Sequence, residues 1–286
     1  MNAHLQCLPC LARNAVDLAH RATDDPVIRR KIVAESLHLL ADHAMEVPPP
    51  YFFSKIQEIA QKHTGRTNLY LEEKRRSNRL AKRLVENLPS IPEYDPESFE
   101  SRLRMAVAGN IIDFGVFSDL NIEQAVRLVR DSFSREIDLE AAKKIKARMD
   151  SAKTILYLLD NCGEAVFDRI FIEPYKHKTI IGFRGGNVLN DVAENDLEDC
   201  GLSGFAKETI SNGSPTIPGT MIEETSPEFQ KIFQSADLIV AKGQGNFETL
   251  NESDRPIAFL FLSKCPVVAG LLKTGIKETQ IRTINF

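Results

Sequence analysis

The hydrophobic pattern of this chain changes period near residue 150. Before that point apolar residues recur at helical spacing, as in Ile28, Ile32, Leu39 and Leu40, which marks one face of an amphipathic helix. Asp25-Pro26 supplies an N-cap followed by Pro at the first helical position. Further helices are predicted near 50–63, 69–88, 96–114, 121–134 and 138–151. Pro48-Pro49-Pro50, Gly65, Pro89 to Pro92 and Asp95-Pro96 separate them.

After residue 150 short, nearly continuous apolar runs take over. Thr154 to Leu159 ends in Asp160-Asn161-Cys162-Gly163, and Thr179 to Phe183 ends in Arg184-Gly185-Gly186. Leu238 to Ala241 ends in Lys242-Gly243-Gln244-Gly245-Asn246, and Ile257 to Leu262 ends in Ser263-Lys264. Runs of this length without polar alternation are what parallel strands buried on both faces look like. Helical segments are expected between them near 163–173, 194–200 and 227–235. Strands alternating with helices predict a doubly wound, mainly parallel α/β sheet. The chain therefore divides into a helical N-terminal region, 1–150, and an α/β region, 151–286.

Composition changes this picture little. The chain has 286 residues, 43% hydrophobic and 27% charged, with a net charge of −4. That is room for a substantial core and gives no global basic field to attract nucleic acid. The acidic excess lies in the second half, which suits cation binding. No apolar run approaches the ~20 residues of a membrane span, and no charged and apolar leader precedes the first helices. Five cysteines, an odd number, read as reduced thiols of a cytoplasmic protein rather than as a disulfide framework. The expected partner is a small molecule, with neither nucleic acid nor membrane.

In open α/β sheets ligands bind beyond the carboxyl ends of the strands, and here every expected strand ends in polar or glycine-rich residues. The first offers Asp160, Asn161 and Glu164, and the second leads to Asn190-Asp191. The third offers Lys242, Gly243, Gly245, Asn246 and Glu248, and the fourth Ser263 and Lys264. Asp and Asn oxygens are hard ligands suited to Mg²⁺ or Mn²⁺. Lysines bind phosphate as point charges, and glycines let backbone N–H groups approach phosphate oxygens. A strand-terminal Asp-Asn alone is commonly a turn or cap, and a lone lysine is commonly solvated. Four such sets on one rim are not explained by turns.

These segments, Asp160-Asn-Cys-Gly-Glu164, Arg184 to Asp191, Ala236 to Glu248 and Phe261 to Cys265, resemble the damage-control phosphatase family, also called the acidic-residue-methyltransferase-like metal-binding domain. Cys7-Leu-Pro-Cys10 and Ala108 to Gly115 look like its microbial stand-alone subfamily. The resemblance implies a helical region packed on a Rossmann-like α/β/α domain. It implies a divalent ion (Mg, Mn, Co or Ni) held by Asp160, Asn161 and Asp191. Asp160 and Asp191 would be catalytic, and Lys242, Gly243, Asn246 and Lys264 would contact the substrate phosphate. The substrates expected are phosphate monoesters, including sugar phosphates and damaged metabolites. Attack by water and a phospho-aspartyl intermediate both remain open. Asn110 and Asp113, three residues apart on one helix face, are further substrate-binding candidates on a helix expected to roof the pocket. Cys162 occupies a variable slot of the first motif.

Other signals carry less. Cys7-x-x-Cys10 has metal or redox spacing and His4 could supply a third ligand, but no other CxxC or close Cys-His pair exists for a four-ligand site. The six histidines form no HExxH or HxxxH pair. Lys74, Arg75, Arg76, Arg79, Lys82 and Arg83 read as one solvated helical face. Glu194, Asp196, Glu198 and Asp199 read as exposed. Two other functions fit parts of the pattern: an S-adenosylmethionine-dependent carboxyl methyltransferase and a non-catalytic metal-binding protein. The former usually places a GxGxG loop after the first strand, where this chain has a single glycine between Asp160 and Glu164.

Overall fold

The computed structural model describes residues 1–43, 45–111 and 122–286. Among the described residues seven α-helices precede the first strand: α1 (Leu8–Ala22), α2 (Pro26–Asp42), α3 (Pro49–Thr64), α4 (Leu71–Asn87), α5 (Phe99–Ile111), α6 (Ile122–Phe133) and α7 (Leu139–Ser151). Asp25 caps α2 as its sequence implies, accepting from the backbone N–H of Val27 and Ile28. The α/β part follows as β1 (Ile155–Leu158), α8 (Glu164–Ile172), β2 (Thr179–Phe183), β3 (Glu208–Ser211), α9 (Pro227–Ser235), β4 (Leu238–Lys242), α10 (Gly243–Leu250), β5 (Ile257–Leu262), α11 (Pro266–Leu272) and β6 (Thr279–Ile284). The expected helix at 194–200 is only a 3-10 turn over Glu194–Asp196, and β3, β6, α10 and α11 were not anticipated.

The six strands form one sheet in the order β3-β2-β1-β4-β5-β6. All neighbouring pairs are parallel except β5 with β6. Successive side chains of a strand point to opposite faces, and in β1, β2, β4 and β5 both faces are buried. Ile155, Tyr157, Leu238, Val240, Ala258 and Leu260 join one apolar cluster, together with Leu103 and Ala106 of α5 and Ile145 and Met149 of α7. Leu156, Leu158, Ile239, Ala241, Phe259 and Phe261 join the other, with Phe229 and Phe233 of α9 and Phe247 and Leu250 of α10. This two-sided burial is why the strands read as unbroken apolar runs. The fold is a three-layer α/β/α arrangement, and helices from before residue 150 supply part of one outer layer.

Helices α1 to α3 have an apolar cluster of their own, centred on Leu11, Leu18, Ile32, Phe52 and Ile56. They dock on loops of the α/β part through hydrogen bonds. Gln57 Nε2 donates to the Asn187 carbonyl at 2.6 Å and its Oε1 accepts from Leu189 N at 3.1 Å. The Ser54 and Thr216 hydroxyls lie 2.6 Å apart.

The basic face of α4 is exposed at Arg75, Arg76, Arg79, Lys82 and Arg83, as its composition suggests, and Lys74 is the exception. Lys74 is fully buried, and its ammonium donates to Asp196 Oδ2 at 2.7 Å. Lys82 and Asn78 reach Asp199 at 3.2 and 3.4 Å. Lys74 and Lys82 thus form ion pairs with Asp196 and Asp199. Glu194 and Glu198 are exposed as expected, Asp199 is half-buried, and Asp196 is buried against that expectation.

Candidate active site

The sheet order reverses direction between β1 and β4, the switch point at which doubly wound sheets bind ligands. Asp160 and Asn161 follow β1 directly. The loop after β2 returns to them through backbone hydrogen bonds: Val192 N to Asp160 O at 2.9 Å and Cys162 N to Asn190 O at 2.8 Å. This clasp, an antiparallel bridge between Asn161 and Asp191, sets two acidic residues 31 positions apart in sequence side by side. β4 runs straight into α10, whose first residue, Gly243, has φ +80°. A Cβ at Gly243 would collide with the Asp160 carboxylate. Gly243→Ala is therefore expected to lower stability by at least about 2 kcal/mol, from backbone strain and the displaced acid. Denaturant unfolding checks this, and an unchanged midpoint would refute the packing described.

These residues floor a cavity of about 750 Å³. Asp160, Asn161, Asp191, Gly245, Glu248 and Lys264 line it from the α/β side. Its roof comes from α1 and α3, with Cys7, Cys10, Arg13, Pro49, Pro50 and Phe53. Of the sequence candidates, Asp160, Asn161, Asp191 and Lys264 are thus brought together, with Gly243 against them. Lys264 is close enough to Asp160 to draw its carboxyl pKa downward. Asp113 lies outside the described residues.

Three other candidates do not line the cavity. Lys242 is fully buried beneath it, and its three N–H bonds are all taken: Glu164 Oε1 and Asp168 Oδ1 at 2.5 Å each, and the Ala106 carbonyl at 2.8 Å. A buried ammonium costs several kcal/mol to desolvate, so the lysine stays where acceptors are complete and has no donor left for a phosphate. Asn246 is a buried brace, donating to the carbonyls of Lys242 and Leu159 at 2.7 and 3.3 Å. Its Oδ1 accepts from Arg184 Nη1 and Thr220 Oγ1. Asn110, only 2% exposed, donates to Glu164 and Asp160 and accepts from Leu262 N. Its helix, α5, underlies the site instead of roofing it.

The electrostatics beneath the cavity are unbalanced. Asp160, Asp191, Glu164 and Asp168 are buried, and the cations buried with them are Lys242 and Arg184. Burial, then Asp191 and Glu164, push the Asp160 carboxyl well above its ordinary range. Burial also raises Asp191, although Arg184 draws it back through a 2.7 Å bond from Nε. Burial lifts Asp168 to about 7 against the pull of Lys242. Burial tends to lower the Lys242 ammonium, but Asp168 and Glu164 outweigh it and hold the group above its ordinary value. Burial lifts Glu248, on the cavity wall, to about 7. Arg184 Nη2 is buried with no hydrogen-bond partner and lies 3.8 Å from Asp160 Oδ1.

Among the described residues no three His, Cys, Asp or Glu side chains converge as a metal-binding cluster, and the donors at the cavity floor are the Asp160 and Asp191 carboxylates with the Asn161 amide. Two carboxylates and an amide form a hard oxygen set, and the surplus of two negative charges equals one divalent ion. These residues fit such an ion. The Cys7 and Cys10 thiols line the same cavity instead of forming a separate module. Burial raises the pKa of both, which keeps them protonated and poor nucleophiles.

Sequence reasoning left several of these residues without a role: Arg184, Glu164, Asp168 and Glu248. The i,i+4 spacing of Glu164 and Asp168 on one helix, behind a lysine that ends an apolar strand, was the available signal of a buried ion triad.

Fold and site together define a Rossmann-like α/β protein with an acidic centre at its switch point. A family model described as the damage-control phosphatase ARMT1-like domain matches residues 3–279. The chain is 34% identical over 281 residues to the damage-control phosphatase PH1575 of Pyrococcus horikoshii, covering 96% of this chain and 95% of that one. It is 29% identical over 285 residues to a damage-control phosphatase of Archaeoglobus fulgidus, covering 98% of each. The crystal structure of PH1575, described as a DUF89 family protein, matches with a TM-score of 0.89 at 31% identity, covering 99% of both chains. The chain belongs to the damage-control phosphatase ARMT1-like family.

Proposed function

We propose that this protein is a metal-dependent phosphatase hydrolysing phosphate monoesters of small metabolites, sugar phosphates or damaged phosphometabolites. The observation that carries the reading is the buried Asp160–Asp191 pair at the switch point, opening on a cavity that also holds Lys264. The names of the relatives support the reaction class. Asp160, Asn161 and Asp191 would hold the divalent ion (Mg, Mn, Co or Ni). Such an ion, when bound, neutralises phosphoryl charge and acidifies water. Lys264, on the same α/β side of the cavity, neutralises further phosphate charge. The first-turn N–H groups of α10, near Gly243 and Gly245, have no intrahelical partners and are available to phosphate oxygens. Asp160 or Asp191 serves as base toward water or attacks phosphorus itself. Cys7-x-x-Cys10 supports placement in the stand-alone microbial subfamily. Five free thiols suit a reducing cytoplasm, and no helix among the described residues is long and apolar enough to cross a membrane.

The test is hydrolysis of p-nitrophenyl phosphate by metal-stripped protein, with Mg²⁺, Mn²⁺, Co²⁺ and Ni²⁺ restored one at a time. Activity should return with at least one ion. Folded protein that stays inactive with all four, or is equally active without any, would overturn the proposal.

A further inference from the structure

Beneath the acidic centre lie two carboxylates that the hydrolytic chemistry does not use. Glu164 opens α8, and Asp168 follows one turn later on the same face. Both share the Lys242 ammonium, at 2.5 Å each. Asp168 spends its second contact on the Tyr157 hydroxyl, which donates at 2.8 Å. Glu164 reaches upward instead. Its Oε2 accepts from Asn110 Nδ2 at 2.8 Å and from Asn161 Nδ2 at 3.3 Å. The same two amides also donate to Asp160 Oδ2, at 3.4 and 2.7 Å.

The two ends of an amide are not interchangeable, because the nitrogen only donates and the oxygen only accepts. Glu164 and Asp160 present acceptors on one side of Asn161, so its NH₂ group turns to them and its Oδ1 is the end left for the cavity. Asn110 is fixed at both ends, since its Oδ1 accepts from Leu262 N at 2.8 Å. Lys242 in turn fixes Glu164.

We propose that Glu164, clamped by Lys242, is a positioning residue that sets the orientation of the Asn161 amide and thereby aims its oxygen at the bound cation. Lys242 then acts two steps from the substrate, as the anchor of the group that orients a ligand. The inference rests on the reading that Asp160, Asn161 and Asp191 take a divalent ion.

The test is Mn²⁺ binding to metal-stripped, full-length protein, followed by electron paramagnetic resonance or calorimetry, with thermal unfolding recorded beside it. Glu164→Gln offers one acceptor oxygen where Glu offers two, and its NH₂ must face either Lys242 or the asparagine donors. Its Kd for Mn²⁺ is expected to rise about 10- to 100-fold, the usual effect of losing a group that orients a ligand. Asp168→Asn loosens the same lysine without touching either amide. It should lower the melting temperature while the Kd stays within about threefold, because no ligand-orienting bond is lost. Asn161→Asp adds a charged hard ligand but sets it against Glu164 and Asp160, so binding should weaken. This variant leaves the buried triad untouched and carries the test if Glu164→Gln does not fold.

Wild-type affinity in Glu164→Gln, equal losses in Glu164→Gln and Asp168→Asn, or tighter binding by Asn161→Asp would each overturn the proposal. Absence of Mn²⁺ binding by the wild-type protein would remove the metal reading as well. Binding by the wild type with no loss in Glu164→Gln would remove only the positioning role.

Discussion

Asp160→Asn is expected to reduce metal-dependent hydrolysis by at least about 10³-fold, in line with losing charge stabilisation and a catalytic carboxylate together, and to raise the melting temperature of the metal-free protein. The two effects share one cause. Asp160 is buried beside Asp191 and Glu164, and in the absence of a cation these carboxylates repel one another. Asn has the shape of the protonated acid and removes one negative charge. A gain on the order of 0.5–2 kcal/mol is typical where a strained functional site is relaxed, equivalent to roughly 2–4 °C per kcal/mol.

The sign with pH follows from the direction of the shift. The Asp160 carboxyl is raised in the folded protein above its ordinary value of 3.8. Its contribution to stability is therefore complete at pH values below that and is lost as pH rises through the folded value. The advantage of the variant should be absent near pH 3.5 and grow toward neutrality. Differential scanning calorimetry of metal-stripped proteins across this range measures it. A variant less stable than wild type at pH 7 would contradict the charge accounting, and retained hydrolysis would contradict the catalytic assignment.

Lys242 and Lys264 should respond in opposite ways to the same substitution. Lys242→Met leaves Glu164 and Asp168 buried without their cation. Removing one partner of a buried pair costs about 3–5 kcal/mol, so the expected outcome is a melting temperature lower by roughly 10 °C or insoluble protein. Lys264 is exposed at the cavity wall, and substitutions at exposed sites usually change stability by less than about 0.5 kcal/mol. Lys264→Met should fold normally and raise KM for phosphate esters about 10-fold or more, as expected for loss of a charge-assisted contact. Thermal unfolding and steady-state kinetics separate the two. Normal stability of Lys242→Met would mean that its ammonium is not committed to the triad, and unchanged KM in Lys264→Met would remove that residue from the substrate site.

The contrast between these lysines shows what the sequence could and could not carry. Both follow apolar strands, at Leu238 to Ala241 and Ile257 to Leu262, and both read as phosphate ligands. The two-sided burial of the sheet was legible because it leaves a local trace, an apolar residue at every position of a short run. The helical character of the first half was legible for the same reason, through its periodicity and through the Asp25-Pro26 cap. The acidic centre was legible because residues at strand ends in a parallel sheet must meet on one rim. What each polar side chain faces has no local trace. Lys242 turns down because α5 and α8 bring Ala106, Glu164 and Asp168 beneath it, across 136, 78 and 74 positions of sequence. Lys74 is buried because Asp196 comes to it from 122 positions away, and Cys7 and Cys10 reach the cavity because α1 and α3 dock over it. The sequence alone determined the layered α/β fold and the acidic rim, because periodicity and strand-end chemistry are properties of neighbouring residues. Only the tertiary structure decided which of the polar groups line the cavity and which brace it from below, because an ion pair or an oriented amide is settled by whichever distant charge the packed layers deliver to it.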